Sequence, residues 1–172
     1  MLLNYCIQCG KKLINRTVGD EGIQKYCTEC NKFYFDNPAT AVLVTIINEK
    51  KQILLLRQKY ISENKWVLCS GYVRKGETLE ETVVREVFEE TGQVVNSCEY
   101  ICSYYFGTKN LIMPGFIAYV NAGKFSVSNE VDALRWCEVQ DAIQLIERDN
   151  NYSGIHLDNC LLRIRAHEEG VE

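Results

Sequence analysis

The chain has 172 residues, of which 47% are hydrophobic and 24% are charged, and its formal net charge is −4. This length allows one domain with a real core plus a small appendage, and the acidic balance excludes a general binder of polyanions. No apolar run approaches the roughly 20 residues of a membrane span, and the N-terminus lacks the basic and apolar segments of a signal peptide, so we expect a cytoplasmic protein.

Four of the nine cysteines form two Cys-x2-Cys pairs near the N-terminus. Cys6 and Cys9 are separated by seventeen residues from Cys27 and Cys30. This spacing delivers four thiolates to one tetrahedral Zn²⁺, and cysteines of a cytosolic chain favour metal over disulfides. Two disulfides, or four unrelated buried thiols, are the alternatives. We predict a zinc ribbon over residues 1–36, held by its metal because so short a segment has little core.

Residues 37–172 form the second predicted domain, which begins at Asn37-Pro38. Runs of β-branched residues and capping signals predict an α/β fold. Strands are predicted over residues 40–48, 52–57, 66–69, 99–106, 115–120 and 133–139, and helices from Leu79 to Gly92, Asp141 to Arg148 and Asp158 to Glu168.

The helix predicted from Leu79 has signals at both ends. Thr78 and Glu81 have the spacing of a capping box, and Gly92 is a good left-handed stop. The helical period places most of its apolar residues on one side, which we expect to face the core. These residues are Val83, Val84, Val87 and Phe88.

The other side of this helix is acidic. Glu86 lies three residues before Glu89 and four before Glu90, so three carboxylates share one turn. Such a cluster costs free energy unless a cation neutralises it, and its oxygens suit Mg²⁺ or Mn²⁺. The alternative is an ordinary solvated acidic face.

The segment from Gly71 to Gly92 resembles the signature of the Nudix hydrolases, Gly-x5-Glu-x7-Arg-Glu-U-x-Glu-Glu-x-Gly-U, where U is a bulky aliphatic. The matching residues are Gly71, Glu77, Arg85, Glu86, Val87, Glu89, Glu90 and Gly92. Gln93 departs from the final aliphatic, and Val94 is the candidate to replace it in packing. The resemblance implies an α/β/α sandwich around a mixed sheet. With its four-cysteine ribbon, the chain is similar to the zinc-ribbon-containing NADH pyrophosphatase branch.

The resemblance also implies roles for individual residues. Glu86 and Glu90 are expected to bind the catalytic Mg²⁺ or Mn²⁺ directly, with the carbonyl of Gly71, and Glu89 to bind a second ion or orient its water. Glu77 is expected to pair with Arg85 and hold the loop against the helix. The alternative for Arg85 is a surface ion pair of little energetic value.

Outside this segment, Glu130 is the strongest candidate for a residue of the metal site. It lies six residues before Trp136, and this position resembles the downstream glutamate that completes the metal site in the branch. We predict that Glu130 is a metal ligand or the general base. A charged residue at a strand edge is the alternative.

The resemblance implies hydrolysis of a pyrophosphate bond in a nucleoside diphosphate linked to another moiety, with release of a nucleoside monophosphate. NAD(H)-like substrates are expected. Residues 103–111 lack the prolines that mark NADH preference in the branch, so ADP-ribose, FAD and NAD-capped RNA are alternatives. Tyr104, Tyr105 and Phe106 are candidates to stack on a base, the alternative being core packing. His156 and His167 are expected at the surface or at a helix cap.

A binding module without catalysis is the competing class of function. Residues 1–38 carry five basic and four acidic side chains, with no basic stripe for RNA. A ligand sensor would also not need the complete set of carboxylates. We therefore expect an enzyme with a small nucleotide substrate, a structural Zn²⁺ and, by resemblance, a homodimer.

Overall fold

The structure is a computed structural model that describes residues 3–58, 65–126, 130–146 and 152–170. The chain divides into two compact units, Met1–Pro38 and Ala39–Glu172. Within the described ranges, no helix is both long enough and apolar enough to cross a membrane.

The first unit is a small antiparallel sheet with the order β1-β2-β3. Its strands are β1 (Ile14–Thr17), β2 (Ile23–Cys27) and β3 (Lys32–Tyr34), and a 3₁₀ turn at Gly19–Glu21 joins the first two. Its cluster of buried apolar side chains consists of Cys6, Leu13 and Cys27. Two of these three are cysteines, so packing alone gives this unit very little stability.

The described part of the second unit contains a six-stranded sheet and three α-helices. The strands are β4 (Ala39–Asn48), β5 (Ile53–Arg57), β6 (Cys69–Tyr72), β7 (Val95–Phe106), β8 (Leu111–Val120) and β9 (Ala133–Cys137). The helices are α1 (Leu79–Thr91), α2 (Val139–Leu145) and α3 (Ser153–Glu169).

The central strand β4 determines the topology of this sheet. The strand order is β7-β8-β4-β5-β9, and β4 runs parallel to β8. On its other edge β4 pairs antiparallel with β6 through residues 41–44 and with β5 through Ile46 and Ile47. The sheet is therefore mixed, as predicted. The fork between β5 and β6 places Gly71 opposite Val42 and against Glu86 of α1.

Both faces of the sheet are covered, because successive residues of a strand point to opposite sides. Val42, Val44 and Ile46 pack with Val83 and Val87 of α1. Residues of the other face, including Leu43 and Ile47, pack with α2 and α3. The predicted α/β/α sandwich is confirmed.

Several predicted boundaries were wrong. Helix α2 begins at Val139 rather than Asp141, and its predicted end at Arg148 lies outside the described residues. Helix α3 begins at Ser153, five residues before Asp158, because Ser153 and Leu157 are buried and this packing outweighs the capping preference. The strand predicted over residues 66–69 is displaced to Cys69–Tyr72.

The apolar face of α1 is narrower than predicted. Val83 and Val87 are fully buried, whereas Val84 is 47% exposed and Phe88 is 58% exposed. The reason is the helical period: residues one position apart lie about 100° apart around the axis. Only the Val83 row points at the sheet, and the adjacent row faces solvent.

The expectation that Val94 replaces Gln93 in packing was also wrong. Gln93 is 1% exposed and Val94 is 66% exposed. A polar side chain therefore occupies the buried position, and its amide must find partners inside the protein.

His156 was wrongly expected at the surface. It is fully buried on α3, where Nε2 lies 3.0 Å from the carbonyl oxygen of Phe116 and Nδ1 lies 3.3 Å from the hydroxyl of Tyr104. A Cβ atom on Gly115 would lie 2.6 Å from the imidazole, so the strand needs glycine there. The sulfur of Cys160 lies 3.4 Å from Nε2.

We predict that His156 makes the protein less stable in acid. Burial lowers the pKa of His156 from 6.5 to about 4. Because the unfolded chain takes up this proton at higher pH, stability is complete above pH 6.5 and falls as the pH decreases to about 4. The loss is about 3 kcal/mol. The raised pKa of Glu90 changes stability in the opposite direction over the same range. The loss is therefore measured as the difference between the wild type and His156→Gln in urea unfolding at pH 7 and at pH 4.

The matched variants are His156→Gln and His167→Gln, which lie on the same helix. His167→Gln changes an exposed histidine and is expected to keep the slope of stability against pH between 7 and 4. His156→Gln is expected to lack this loss, so its stability relative to the wild type should rise by about 3 kcal/mol between pH 7 and pH 4. An unchanged slope in His156→Gln would assign the acid sensitivity to other groups.

Candidate active site and metal centre

The N-terminus of α1 is fixed as predicted. The backbone N–H of Glu81 donates to Oγ1 of Thr78 at 3.1 Å, and the backbone N–H of Thr78 donates to Oε2 of Glu81 at 2.8 Å. At the other end, Gly92 adopts a left-handed conformation with φ of 73°. The capping box and the glycine stop are confirmed, and they set the register of the glutamates on α1.

Arg85 clamps the loop before α1 to the helix. Its Nε donates to Oε1 of Glu77 at 2.6 Å, and Nη2 donates to Oε2 at 2.8 Å. Nη2 also donates to the carbonyl of Tyr72 at 3.0 Å, at the end of β6. The guanidinium lowers the pKa of Glu77 to about 2. The predicted pairing of these two residues is confirmed, and it takes the two-pronged form that guanidinium and carboxylate favour.

Gly71 lies against the carboxylate of Glu86. A Cβ atom on Gly71 would lie 1.8 Å from Cδ of Glu86. Any side chain at this position would displace that carboxylate, so glycine is required by space. Arg85 also donates to Glu86, and burial raises the pKa of Glu86.

Glu90 is the most buried of these carboxylates, with 5% exposure. Its Oε1 accepts a hydrogen bond of 2.8 Å from Nε2 of the buried Gln58 at the end of β5. By distance and angle, its Oε2 has no hydrogen-bond partner among the described residues, although the neighbouring Cys69 thiol lowers the pKa of this carboxylate. Burial raises the pKa of Glu90 to about 7, and the charges of Glu86 and Glu130 add to this. A buried carboxylate with one unsatisfied oxygen beside like charges has the character of a cation ligand.

Glu89 is more exposed and is held by two arginines. Arg74 donates to its two oxygens at 3.0 and 3.2 Å, and Arg85 donates to Oε2 at 3.1 Å. Arg74, in the loop before α1, was missed from the sequence. Its basic character was a usable signal, since an acidic cluster requires neutralisation.

The carboxylates do not converge on one point. Within the described ranges, the four ribbon thiols alone form a group of three or more metal-ligating side chains whose ligand atoms lie within 4.8 Å of one another. Glu86 and Glu89 are instead turned toward Arg85 and Arg74. Their oxygens remain the donor type that Mg²⁺ and Mn²⁺ prefer.

These glutamates line a cleft of about 1190 Å³ in the second unit. The acidic part of its wall is formed by Glu86, Glu89, Glu90 and Glu130. The apolar part includes Leu43, Leu68, Phe106, Leu111, Met113 and Tyr152. This volume admits a ligand of dinucleotide size.

The three aromatic residues predicted to bind substrate have different positions. Phe106 lines the cleft, whereas Tyr104 and Tyr105 are not among its described lining residues. Tyr104 is 9% exposed, in the core, and Tyr105 is 54% exposed. Alternation along β7 separates Tyr105 from Tyr104 and Phe106, because neighbours on a strand point to opposite faces.

Tyr152 and Lys109 are lining residues that were missed from the sequence. The ring of Tyr152 packs edge-on against Phe106 with the centroids 4.7 Å apart. Lys109 ends the 3₁₀ turn Gly107–Lys109 between β7 and β8. No local pattern marked either residue, because each reaches the cleft through the tertiary fold.

The ribbon thiols form a compact cluster in the first unit. The sulfur atoms of Cys6 and Cys30 are 3.7 Å apart, and those of Cys9 and Cys27 are 3.5 Å apart. Four thiolates around a zinc ion with Zn–S bonds of about 2.3 Å lie roughly 3.8 Å from one another. All four cysteines are free thiols, so the cluster fits a tetrahedral metal.

A family model described as the NUDIX domain matches residues 37–157. The chain belongs to the NUDIX family. The match covers the α1 carboxylates, Glu130 and the cleft, and it ends within α3. The signature found in the sequence and the sandwich found in the structure therefore belong to the same NUDIX domain.

Curated relatives of this NUDIX protein carry the name NAD-capped RNA hydrolase NudC. The Vibrio cholerae protein is 26% identical over 140 residues, which cover 81% of this chain and 51% of the relative. The Erwinia tasmaniensis protein is 28% identical over 170 residues, covering 98% and 63%. The chain therefore spans between about half and two thirds of the length of these relatives.

Solved structures share the fold. A NUDIX hydrolase from Nitrosomonas europaea has a TM-score of 0.74 at 23% identity, covering 98% of this chain and 94% of that one. The NUDIX domain of Shewanella oneidensis NrtR, complexed with ADP ribose, has a TM-score of 0.65 at 16% identity, covering 81% and 94%.

Proposed function

We propose that this NUDIX protein is an enzyme that hydrolyses the pyrophosphate bond of a nucleoside diphosphate linked to another moiety, with a divalent metal. NAD(H)-like compounds are the proposed substrates, and a nucleoside monophosphate is one product. The observation that carries the proposal is Glu90, buried with one unsatisfied oxygen, on the wall of a cleft that also has aromatic and apolar lining. The names of the NudC relatives support the same substrate class.

The carbonyl of Gly71 and the carboxylates of Glu86, Glu89 and Glu90 would hold Mg²⁺ or Mn²⁺, with Glu130 as a further ligand or as the base. Bound there, the metal would neutralise charge on the diphosphate and lower the pKa of water. Gln58 fixes one oxygen of Glu90 and leaves the other free for this role. Arg85 and Glu77 keep the loop and the helix at a constant separation.

The reaction balances as the addition of one water across one anhydride bond. The oxygen of water forms a bond to one phosphorus, and the bridging P–O bond breaks. Two phosphate monoesters result, one of them the nucleoside monophosphate. The proton of the attacking water passes to a carboxylate of the acidic wall. Glu130 is our candidate for this acceptor when it does not bind the metal.

The apolar part of the cleft would bind the base or nicotinamide ring. Phe106 and Tyr152 already contact each other there, and a flat ring extends such a contact by stacking. Lys109 offers a cation to a phosphate or to another anionic group of the substrate. These residues lie on the hairpin between β7 and β8 and at the start of α3, so the departure of residues 103–111 from the NADH-type sequence alters this part of the wall.

A substrate panel tests the proposed function. NADH, NAD⁺, ADP-ribose, FAD and NAD-capped RNA are incubated with the protein and Mg²⁺ or Mn²⁺, and nucleoside monophosphate release is measured. We expect release from an NAD-type substrate that depends on added metal. A higher kcat/KM with ADP-ribose or FAD than with the NAD-type substrates would support the proposed reaction and change the proposed substrate. Absence of product from all five would contradict the enzyme and favour a binding module.

We further propose that the ribbon binds a structural Zn²⁺ through Cys6, Cys9, Cys27 and Cys30. The sulfur separations and the free thiols support this. The domain division at residues 36 and 37 and the homodimer remain predictions.

A further inference from the structure

Gln93 has a set of contacts that the family signature does not explain. Its Oε1 accepts a hydrogen bond of 2.8 Å from the backbone N–H of Gly123. Its Nε2 lies 3.3 Å from the carbonyl oxygen of Lys124 and 3.4 Å from that of Thr91. Both ends of this buried amide are therefore used to hold the chain that follows β8 against the end of α1. The aliphatic residue expected from the signature makes none of these bonds.

The same segment touches α1 at a second place. The backbone N–H of Ser126 donates to the carbonyl of Thr91 at 3.1 Å. A Cβ atom on Gly92 would lie 2.7 Å from both N and Cβ of Ser126, so the segment packs directly on the glycine stop. Gly123, Lys124 and Ser126 are exposed, and Phe125 between them stacks on Trp136 with the ring centroids 6.2 Å apart. The backbone N–H of Ala122 donates to Glu49. Among these side-chain contacts, the Gln93 amide is the one that ties the segment to the end of α1.

Glu130 lies between this anchor and another one. Ser126 is fixed on α1, four residues before Glu130, and Asp132 donates its backbone N–H to the carbonyl of Arg57 at 2.8 Å. Val131 is buried. Two anchored ends this close restrict where an intervening residue can lie. Glu130 is on the acidic wall of the cleft.

We propose that Gln93 is a positioning residue that holds the chain after β8, residues 121–126, on α1 and thereby fixes where Glu130 lies on the acidic wall of the cleft. It ties that segment to α1, the helix that carries the other carboxylates, so the two halves of the acidic wall keep a fixed separation. This role rests on the proposed function, because only that function gives Glu130 a metal to bind or a proton to accept. A residue that acts through a metal ligand in this way typically changes metal affinity by about 10-fold or more.

The test is Mn²⁺ binding by the zinc-loaded full chain without substrate, followed by the electron paramagnetic resonance of free Mn²⁺. The variants are Gln93→Leu, Glu130→Gln and the double variant. Gln93→Met is measured beside Gln93→Leu because it keeps the length and nearly the volume of the side chain. Gln144→Leu, an exposed glutamine of α2, is the matched control, and thermal unfolding confirms that each variant is folded.

We expect both Gln93 variants to weaken Mn²⁺ binding about 10-fold and Gln144→Leu to leave it unchanged. If Gln93 acts through Glu130, the double variant should bind Mn²⁺ within about twofold of Glu130→Gln alone. Wild-type affinity in the Gln93 variants would overturn the proposal. So would a double variant whose loss equals the product of the single losses, since Gln93 would then act through packing of α1.

The proposed function is decided by a separate experiment, the substrate panel. A wild-type protein that binds Mn²⁺ but releases no nucleoside monophosphate from the panel would contradict the enzyme. The Mn²⁺ affinities of the wild type, Gln93→Leu, Glu130→Gln and the double variant would still decide the role of Gln93.

Discussion

Replacing Glu90 by glutamine is expected to reduce kcat about 10³-fold, which corresponds to about 4 kcal/mol of lost transition-state stabilisation. The amide keeps the shape of the side chain and can still bond to Gln58, whose Nε2 lies 2.8 Å from Oε1. It removes the negative charge and presents at most one oxygen. The loss therefore reports on charge in the acidic wall rather than on packing.

The same variant should be at least as stable as the wild type in buffer without added Mg²⁺ or Mn²⁺. Glu90 is buried beside other carboxylates, and one of its oxygens has no hydrogen-bond partner within the described part of the chain. A neutral amide avoids the cost of burying that charge. Activity and stability are thus expected to change in opposite directions, as they do where an active site is built at the expense of the fold.

Glu80→Gln is the matched control, because Glu80 is an exposed residue in the first turn of the same helix. Its turnover should equal that of the wild type. Nucleoside monophosphate release at saturating metal and thermal unfolding are measured on all three proteins. Near-wild-type kcat in Glu90→Gln, with every substrate of the panel, would remove Glu90 from the catalytic machinery.

The parts of the site that could be predicted are those whose partners lie close together in the sequence. Thr78 and Glu81 are three residues apart in the sequence, and Glu77 and Arg85 are eight residues apart. Interactions over such distances depend on helix geometry, which is the same in every protein. The capping box could therefore be predicted before any tertiary structure was known, whereas the pairing of Glu77 with Arg85 was implied by the resemblance to the Nudix signature.

The parts that were missed depend on contacts made by the tertiary fold. Gln58 meets Glu90 across 32 positions and His156 meets Phe116 across 40. Nothing near Tyr152 in the sequence shows that it reaches Phe106. A buried polar residue needs a hydrogen-bond partner, and here that partner is distant in the sequence, so a local pattern contains no information about it.

The remaining errors follow from overlapping patterns. Val84 and Phe88 are apolar and lie beside the buried row of α1, so a pattern of apolar residues includes them although they face solvent. Tyr104 and Tyr105 are both aromatic strand residues, yet only the first is in the core. In each case the pattern identified the element correctly, and the orientation of individual side chains required the neighbouring elements.

The second large effect is expected from the ribbon. Cys27→Ser should abolish zinc binding and unfold the first unit, because zinc contributes about 10 kcal/mol or more to the folding of such small metal-bound segments. The structure gives little else to hold this unit, since Cys27 itself is one of three residues in its buried cluster. Zinc content per chain and amide hydrogen exchange over residues 3–34 measure the two outcomes.

Cys98→Ser is the control, a partly buried free thiol on β7 that should leave zinc at one ion per chain. Retention of zinc in Cys27→Ser would contradict the four-thiolate site. A non-reduced wild type whose mass shows two disulfides would favour the alternative pairing. Turnover should stay within about twofold of the wild type in Cys27→Ser, because every described residue that lines the cleft belongs to the second unit. A larger loss of turnover would show that the ribbon contributes to the reaction as well as to its own fold.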